Sequence, residues 1–225
     1  MGLGLRHTAP FSLSIDASLP YFDATAPNAF EVAVAAADFT PALLARAARL
    51  RAAIVAAGVT KYNLDGAEPL PDPRGREAVL VPGQVAGDAS IRLGARAVRD
   101  DEGLLRATRA RLPDAFLLYK PHPDTLAGLR RGAVDGAAAR GLADAVVSRA
   151  DPAACLAWAD RVATITSLMG FEALLRGKAV TAFGRPFYAG WGLTDDADPP
   201  LRLRRLTRDE LAAAALILYP RYVDP

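Results

Sequence analysis

Short apolar runs broken by polar, proline- and glycine-bearing stretches fill the last two thirds of the chain. "AVLVP" (78–82), "AFLLY" (115–119), "ADAVV" (143–147), "RVATI" (161–165) and "AVTAF" (179–183) have the length and continuity of buried strands. Between and after them lie stretches with helical spacing: "DEGLLRATRARL", "DPAACLAWAD", "SLMGFEALLRG" and "TRDELAAAALILY". Short apolar strands alternating with helices predict a parallel sheet covered by helices on both faces. The fold class is therefore α/β, with residues 77–225 forming a Rossmann-like, doubly wound domain.

The first 76 residues follow a different pattern. "FSLSID" and "YFDAT" alternate polar and apolar positions across "ASLP", which predicts a two-stranded hairpin. "FTPALLARAARLRAAIVAAG" predicts a helix, with Pro41 at its first turn and Gly58 at its end. "DGAEPLPDPRGR" (65–76) is rich in proline and glycine and reads as the linker that closes this N-terminal segment, 1–76. The chain shows no internal repeat and no low-complexity tract beyond a bias to alanine.

Composition narrows the function classes. With 225 residues, 52% of them hydrophobic, the chain can bury a sizeable core. A formal net charge of +2 gives no reason to expect nucleic acid as a partner. Three lysines stand against 24 arginines, as a GC-rich genome would produce. A lone cysteine, Cys155, cannot form an internal disulfide; it suits a reducing compartment and reads as a small core residue. With two histidines and one cysteine, a zinc-type site is not expected, and no cofactor is called for. No run approaches the ~20 apolar residues of a membrane span. "MGLGLRHTAPF" has neither the apolar core of a secretory signal nor the Ser/Thr of a myristoylation signal.

The unusual residues follow strands, and in a doubly wound sheet ligands bind outside the strands' carboxyl ends. Thr166 and Ser167 precede the helix "SLMGFEALLRG". They read either as an N-cap or as an anion site, where free N–H groups, the helix dipole and a hydroxyl converge. Gly170 would permit close approach of helix or ligand. Glu172, one turn in, is either a surface acid or an acceptor for ribose hydroxyls. In "YKPHPD", two prolines restrict the backbone around His122, which suits either a rigid surface turn or an imidazole aimed at a phosphate, with Lys120 as a second positive group. "GQVAGDAS" holds Gln84 and Asp88; Asp88 is a turn former, a base or a nucleophile. Neither a Walker-type phosphate loop nor G-x-G-x-x-G is present. Trp158 reads as a helix core residue, whereas Tyr188 and Trp191 in "FYAGWG" could line a pocket or pack the loop. Arg202, Arg204 and Arg205 read as a solvated basic loop, or as a contact for lipid headgroup or polysaccharide, and His7 as an exposed residue.

Taken together, "VPGQVAGDASIRLG", "LLYKPHPD", "TSLMGFEALLRGKAVTAFGRPFYAGWGLTDD" and "LILYPRYVDP" resemble the bacterial capsule polysaccharide biosynthesis proteins. "PFSLSIDASLPYFDAT" and "TKYNLD" fit the same family, so the resemblance spans nearly the whole chain. The long motif from Thr166 to Asp196 is the specific one. Those proteins are retaining β-Kdo glycosyltransferases that build the Kdo linker between a membrane phospholipid and the capsule. The resemblance implies half of a GT-B-like fold, a CMP-Kdo donor, a lipid-linked Kdo acceptor, and double displacement through a covalent Kdo–aspartate adduct. By motif, Asp88 matches the nucleophile of the Q-x-x-x-D pattern opened by Gln84, and His122 matches the histidine of the H-P motif facing the donor's phosphate or carboxylate. Ser167 matches the phosphate-binding helix start, with Thr166 and Gly170 beside it; Glu172 matches a contact to the ribose or cytosine end, and Lys120 a further donor contact.

Family modules begin with another Rossmann-like half that carries the acceptor site. Here Met1 directly precedes "GLGLR", and the chain ends at "YPRYVDP" where family members continue. The chain is thus expected to be the donor half of one module, from a fragment, a split gene or a broken gene, with little transfer on its own. Partners implied are the missing N-terminal half or capsule export machinery, in the cytoplasm at the inner membrane. The alternatives are a nonenzymatic nucleotide-binding or polysaccharide-export module that kept the fold, and an unrelated transferase or epimerase using UDP-sugars. A preference for cytidine over uridine nucleotides separates the last from the family reading.

Overall fold

The computed structural model describes residues 12–63, 66–128, 132, 134 and 136–222. After strand β1 (Ser12–Leu13) come helices α1 (Ala29–Ala36) and α2 (Pro41–Ala56). The sheet domain then runs β2 (Ala78–Pro82), α3 (Ala89–Gly94), α4 (Asp101–Arg111), β3 (Phe116–Lys120), α5 (Pro123–Leu126), α6 (Gly136–Leu142) and β4 (Ala145–Val146). It continues through α7 (Pro152–Trp158), β5 (Arg161–Thr164), α8 (Leu168–Leu175), β6 (Ala179–Ala182) and β7 (Asp195–Asp196). Helix α9 (Arg208–Ala213) passes into a π-helical turn, Ala214–Leu218, before β8 (Arg221–Tyr222).

Six strands form one parallel sheet in the order β4-β3-β2-β5-β6-β7. Its central strands read as unbroken apolar runs because both faces are covered. Alternate residues then feed two cores. Leu80, Leu118, Val162 and Val180 pack with Leu156, Phe171, Leu174 and Leu211 of α7, α8 and α9. Val79, Val81, Leu117, Tyr119 and Ala163 pack with Ile91, Leu104, Leu105 and Ala139 of α3, α4 and α6. Helix starts are capped as their sequences suggest: Thr40 and Pro41 open α2, Asp151 and Pro152 open α7, and Thr207 with Glu210 forms a capping box on α9.

The N-terminal hairpin does not form. β1 pairs antiparallel with β8 at the far end of the chain, Ser12 opposite Tyr222. Residues 21–25 turn instead of extending, because Asp23 Oδ1 accepts from the backbone N–H of Thr25 (2.9 Å) and from its hydroxyl (2.5 Å). Asn28 then donates to Asp23 O and caps α1. Phe30 and Val34 of α1, with Ala47 of α2, join the same core as Leu80. The linker is pinned, not loose: Glu68 accepts from the N–H groups of Ser148 and Arg149, and Trp158 Nε1 donates to Pro71 O.

One further expectation changes. Of the arginines after "DADPP", Arg205 is exposed, but Arg202 and Arg204 are not part of a solvated patch. Arg202, with 2% of its side chain exposed, pairs with Glu31 at 2.7 Å and lies over the Trp191 ring; Arg204 donates to Val34 O and Ala37 O. Both tie that loop to α1. Tyr188 and Trp191 are buried packing residues, so the loop-packing reading holds. His7 lies outside the described residues. No helix among the described residues is long and apolar enough to cross a membrane.

Candidate functional site

The sheet reverses direction at β2. The chain winds outward from β2 through β3 and β4, returns to β5 on the other edge of β2, and winds outward again through β6 and β7. The loops after β2 and β5 therefore diverge, and the crevice between them is where doubly wound sheets take ligands. Gln84, just past β2, spans this point. Its backbone N–H donates to Asp101 Oδ1 (2.9 Å). Its side-chain Oε1 accepts from the N–H groups of Thr166 (2.9 Å) and Ser167 (3.1 Å) and from Thr164 Oγ1 (3.3 Å). Its Nε2 donates to Thr166 Oγ1 (2.9 Å).

This changes the chemistry at the start of α8. Two of the N–H groups that an anion would seek there are satisfied by an amide oxygen. Ser167 caps the helix, its Oγ accepting from Met169 N (3.3 Å). The Ser167 hydroxyl and the helix dipole stay available to an anion.

Asp88 is exposed at the N-cap of α3. Its Oδ1 accepts from Ala89 N and its Oδ2 from Ser90 Oγ, each at 2.9 Å. Ser90 Oγ lies 3.0 Å from Thr166 Oγ1. Asp88, Ser90, Thr166, Ser167 and Gln84 are thus one hydrogen-bonded group drawn from two loops. Tyr21 stands near it: burial first, then the charges of Asp88 and Asp16, push its hydroxyl up to about 12.

The β3 loop abuts this group. Only glycine fits at position 83, since a Cβ there would sit 2.6 Å from Asp101 Oδ2 and 3.0 Å from His122 N. Asp101 is 1% exposed; burial lifts its carboxyl to about 6, against the hydrogen bonds from Tyr119 and Gln84. His122 caps the short helix α5, its Nδ1 accepting from Asp124 N at 3.1 Å. Its Nε2 lies 3.0 Å from Tyr62 Oη. Since Nδ1 accepts an N–H, the neutral ring carries its proton on Nε2 and donates it to Tyr62.

Lys61 and Tyr62 bridge two elements. While Tyr62 meets His122, the neighbouring Lys61 N–H donates to Glu172 Oε1 on α8 at 2.6 Å. The turn holding them is rigid: Thr60 N donates to Asn63 Oδ1 and Asn63 N to Thr60 Oγ1, with Asn63 at φ +39°. Burial raises Glu172 above its ordinary value, opposed by the Lys61 N–H and by the charges of Arg176 and Lys61. Sequence pattern does not single out Tyr62 or Ser90; Tyr62 lies in "TKYN", one of the segments that carry the resemblance.

Two expected donor contacts are otherwise engaged. Lys120, only 6% exposed, donates from Nζ to Ala150 O (2.8 Å). Gly170 admits not a ligand but the Tyr188 ring: a Cβ would lie 2.3 Å from Tyr188 Oη, which bonds Ser167 O. Cys155 is a core thiol, pushed up to about 11 chiefly by burial. Among the described residues, no group of three or more His, Cys, Asp or Glu side chains could hold a metal ion.

Comparison with known proteins bears on the family and the fold. A family model described as capsule polysaccharide biosynthesis protein matches residues 42–222. The capsule polysaccharide modification protein LipA of Neisseria meningitidis serogroup A is 42% identical across 100% of this chain and 32% of its own length. The lipopolysaccharide-processing protein LpsZ of Rhizobium meliloti is 43% identical across 99% of this chain and 52% of its own. The chain therefore spans about a third of one of these relatives and about half of the other. Among solved structures, a β-Kdo 2,7 transferase of Thermosulfurimonas dismutans KpsC superposes with TM-score 0.83 at 36% identity, over 95% of this chain and 67% of that one. The KpsC β-Kdo 2,4 transferase gives 0.80 at 36% identity, over 96% and 68%.

Proposed function

Because the chain belongs to the capsule polysaccharide biosynthesis protein family, we propose that it supplies the donor-binding half of a retaining β-Kdo transferase, taking CMP-Kdo and making the first of two displacements. The observation that carries this reading is the Gln84–Thr166–Ser90–Asp88 group at the sheet's reversal point, which sets a carboxylate beside a helix start.

An Asp88 oxygen attacks the anomeric carbon of Kdo. The bond from that carbon to the phosphate oxygen breaks, and its electron pair leaves with CMP. The result is a glycosyl ester on Asp88, as retention requires. Charge growing on the departing phosphate is met by the Ser167 hydroxyl, the dipole of α8 and His122, whose Nε2–H turns from Tyr62 to the phosphate as the donor arrives. Glu172 and the Thr60–Asn63 turn shape the nucleoside end. In the second displacement an acceptor hydroxyl on a lipid-linked Kdo replaces Asp88, its proton passing to a base from the acceptor-binding half. That acceptor places the work at the cytoplasmic face of the inner membrane.

Calorimetric titration of CMP and UMP tests the donor site. CMP binds selectively, and His122→Ala and Ser167→Ala each weaken it roughly 10-fold, about the value of one charge-assisted hydrogen bond. Intact mass measurement after CMP-Kdo addition shows an adduct that Asp88→Asn abolishes. Binding of neither nucleotide overturns the reading and leaves a fold kept for some nonenzymatic task.

A further inference from the structure

The hydrogen bonds around Asp88 have a fixed direction, which follows from the backbone. Gln84 Oε1 must face the N–H groups of Thr166 and Ser167, so Nε2 is the atom that meets Thr166 Oγ1, and it can only donate there. Asp88 Oδ2 can only accept, so Ser90 Oγ spends its proton on Asp88. At the Ser90–Thr166 contact, Ser90 is left to accept and Thr166 to donate. The sequence of donors therefore runs one way, from the Gln84 amide through Thr166 and Ser90 to one carboxylate oxygen. The other oxygen is fixed by Ala89 N. A carboxylate on an exposed helix cap would ordinarily swing about its χ angles; here both oxygens are tied, one of them to the loop that starts α8.

We propose that Ser90 and Thr166 are positioning residues, a one-way hydrogen-bond relay that orients the Asp88 carboxylate and couples it to the N-terminus of α8. The consequence for catalysis rests on the reading of Asp88 as nucleophile; the relay itself does not. Ser90 and Thr166 act through Asp88 without supplying a reacting atom. Because Gln84 Oε1 holds the same N–H groups that lie beside the leaving phosphate, arrival of the donor at α8 is felt at Asp88 through three hydrogen bonds, each of 2.9–3.0 Å. Such coupling suits a nucleophile that must be aimed only when the leaving group is in place, since near-attack geometry is sensitive to shifts of an ångström.

The test reads Asp88 directly, in the full chain labelled with 13C-carboxyl aspartate, with the Asp88 resonance identified by its loss in Asp88→Asn. Thr166→Val removes a hydroxyl that never touches Asp88, yet it shifts the Asp88 carboxyl resonance, as Ser90→Ala does. Ser90→Thr restores it, and the distant Asp151 resonance stays in place throughout. If the valine does not pack, Thr166→Ala makes the same deletion. An Asp88 resonance unmoved by loss of the Thr166 hydroxyl overturns the relay. On CMP-Kdo, Ser90→Ala forms the Asp88 adduct roughly 10- to 100-fold more slowly, while CMP affinity stays within about twofold. Should the resonances move as expected but the native chain form no adduct, the relay stands and the nucleophile reading of Asp88 falls.

Discussion

His122 gains its orientation from two groups that the hexapeptide around it only half reveals. The prolines stiffen the loop, and Asp124 N fixes Nδ1, but the partner of Nε2 is Tyr62, 60 residues earlier in the chain. No local spacing announces such a pair, which is why His122 was legible as a candidate and Tyr62 was not. The same holds for Ser90, whose importance comes from Thr166 across the sheet's reversal point. Asp88, Gln84, Thr166 and Ser167 were legible because each follows a strand. Tyr62→Phe removes the acceptor at Nε2; it costs about 1 kcal/mol of unfolding free energy and weakens CMP binding about fivefold, read by denaturant titration and calorimetry. Gly170→Ala puts a methyl against the fully buried Tyr188 ring and destabilises the chain by roughly 1–3 kcal/mol. Tyr188→Phe in the same chain recovers part of that loss, because the closest clash is with the hydroxyl.

Elements of the central sheet were readable because five-residue apolar runs leave few choices. β7 and the β1–β8 pair, two residues each and outside any apolar run, carry no pattern, whereas the equally short β4 is marked by the apolar run "ADAVV". β1 in particular takes its partner from the opposite end of the chain, whereas the nearer "YFDAT" is held in a turn by Asp23. Arg202 and Arg204 depart from expectation for another reason: charge in a loop implies solvent only where no acceptors are within reach. Long side chains can bury a guanidinium when acceptors converge on it, and Arg202 finds Glu31 and the carbonyls of Pro186 and Phe187. Burial pulls its pKa down while Glu31 pushes it up. Arg202→Ala leaves those acceptors and the Glu31 charge unmatched, and unfolding free energy falls by roughly 3 kcal/mol. Adding Glu31→Leu recovers part of the loss; if the double variant is no better than the single one, the ion pair does not carry the effect.

At the scale of the molecule, the core beneath α3, α4 and α6 meets the site through Asp101, which accepts from Tyr119 Oη and from Gln84 N. Its carboxyl, lifted to about 6 in the folded chain from the ordinary 3.8 of an exposed aspartate, takes up a proton there before it does in the unfolded chain. Folding is therefore favoured as pH falls from above 6 towards 4, and this contribution is lost again as pH rises through 6. The difference amounts to at most roughly 3 kcal/mol. Denaturation midpoints followed from pH 7 to 4 show this gain against the loss from other carboxylates, and Asp101→Asn flattens it. A profile unchanged by that substitution rules Asp101 out as its source.

The central position of β2 also has a consequence for the chain as it is made. One edge of β2 is closed by β3, some 35 residues later; the other waits for β5, about 80 residues after β2 is complete. At ribosomal speeds of about 5–20 residues per second, that edge of Val79, Leu80 and Val81 stays open for roughly 4–16 s. Nascent chains halted before Arg161 should draw chaperones strongly, and those released just beyond Ala182 far less, because the pairing of β5 with β2 that completes the candidate crevice also closes this edge.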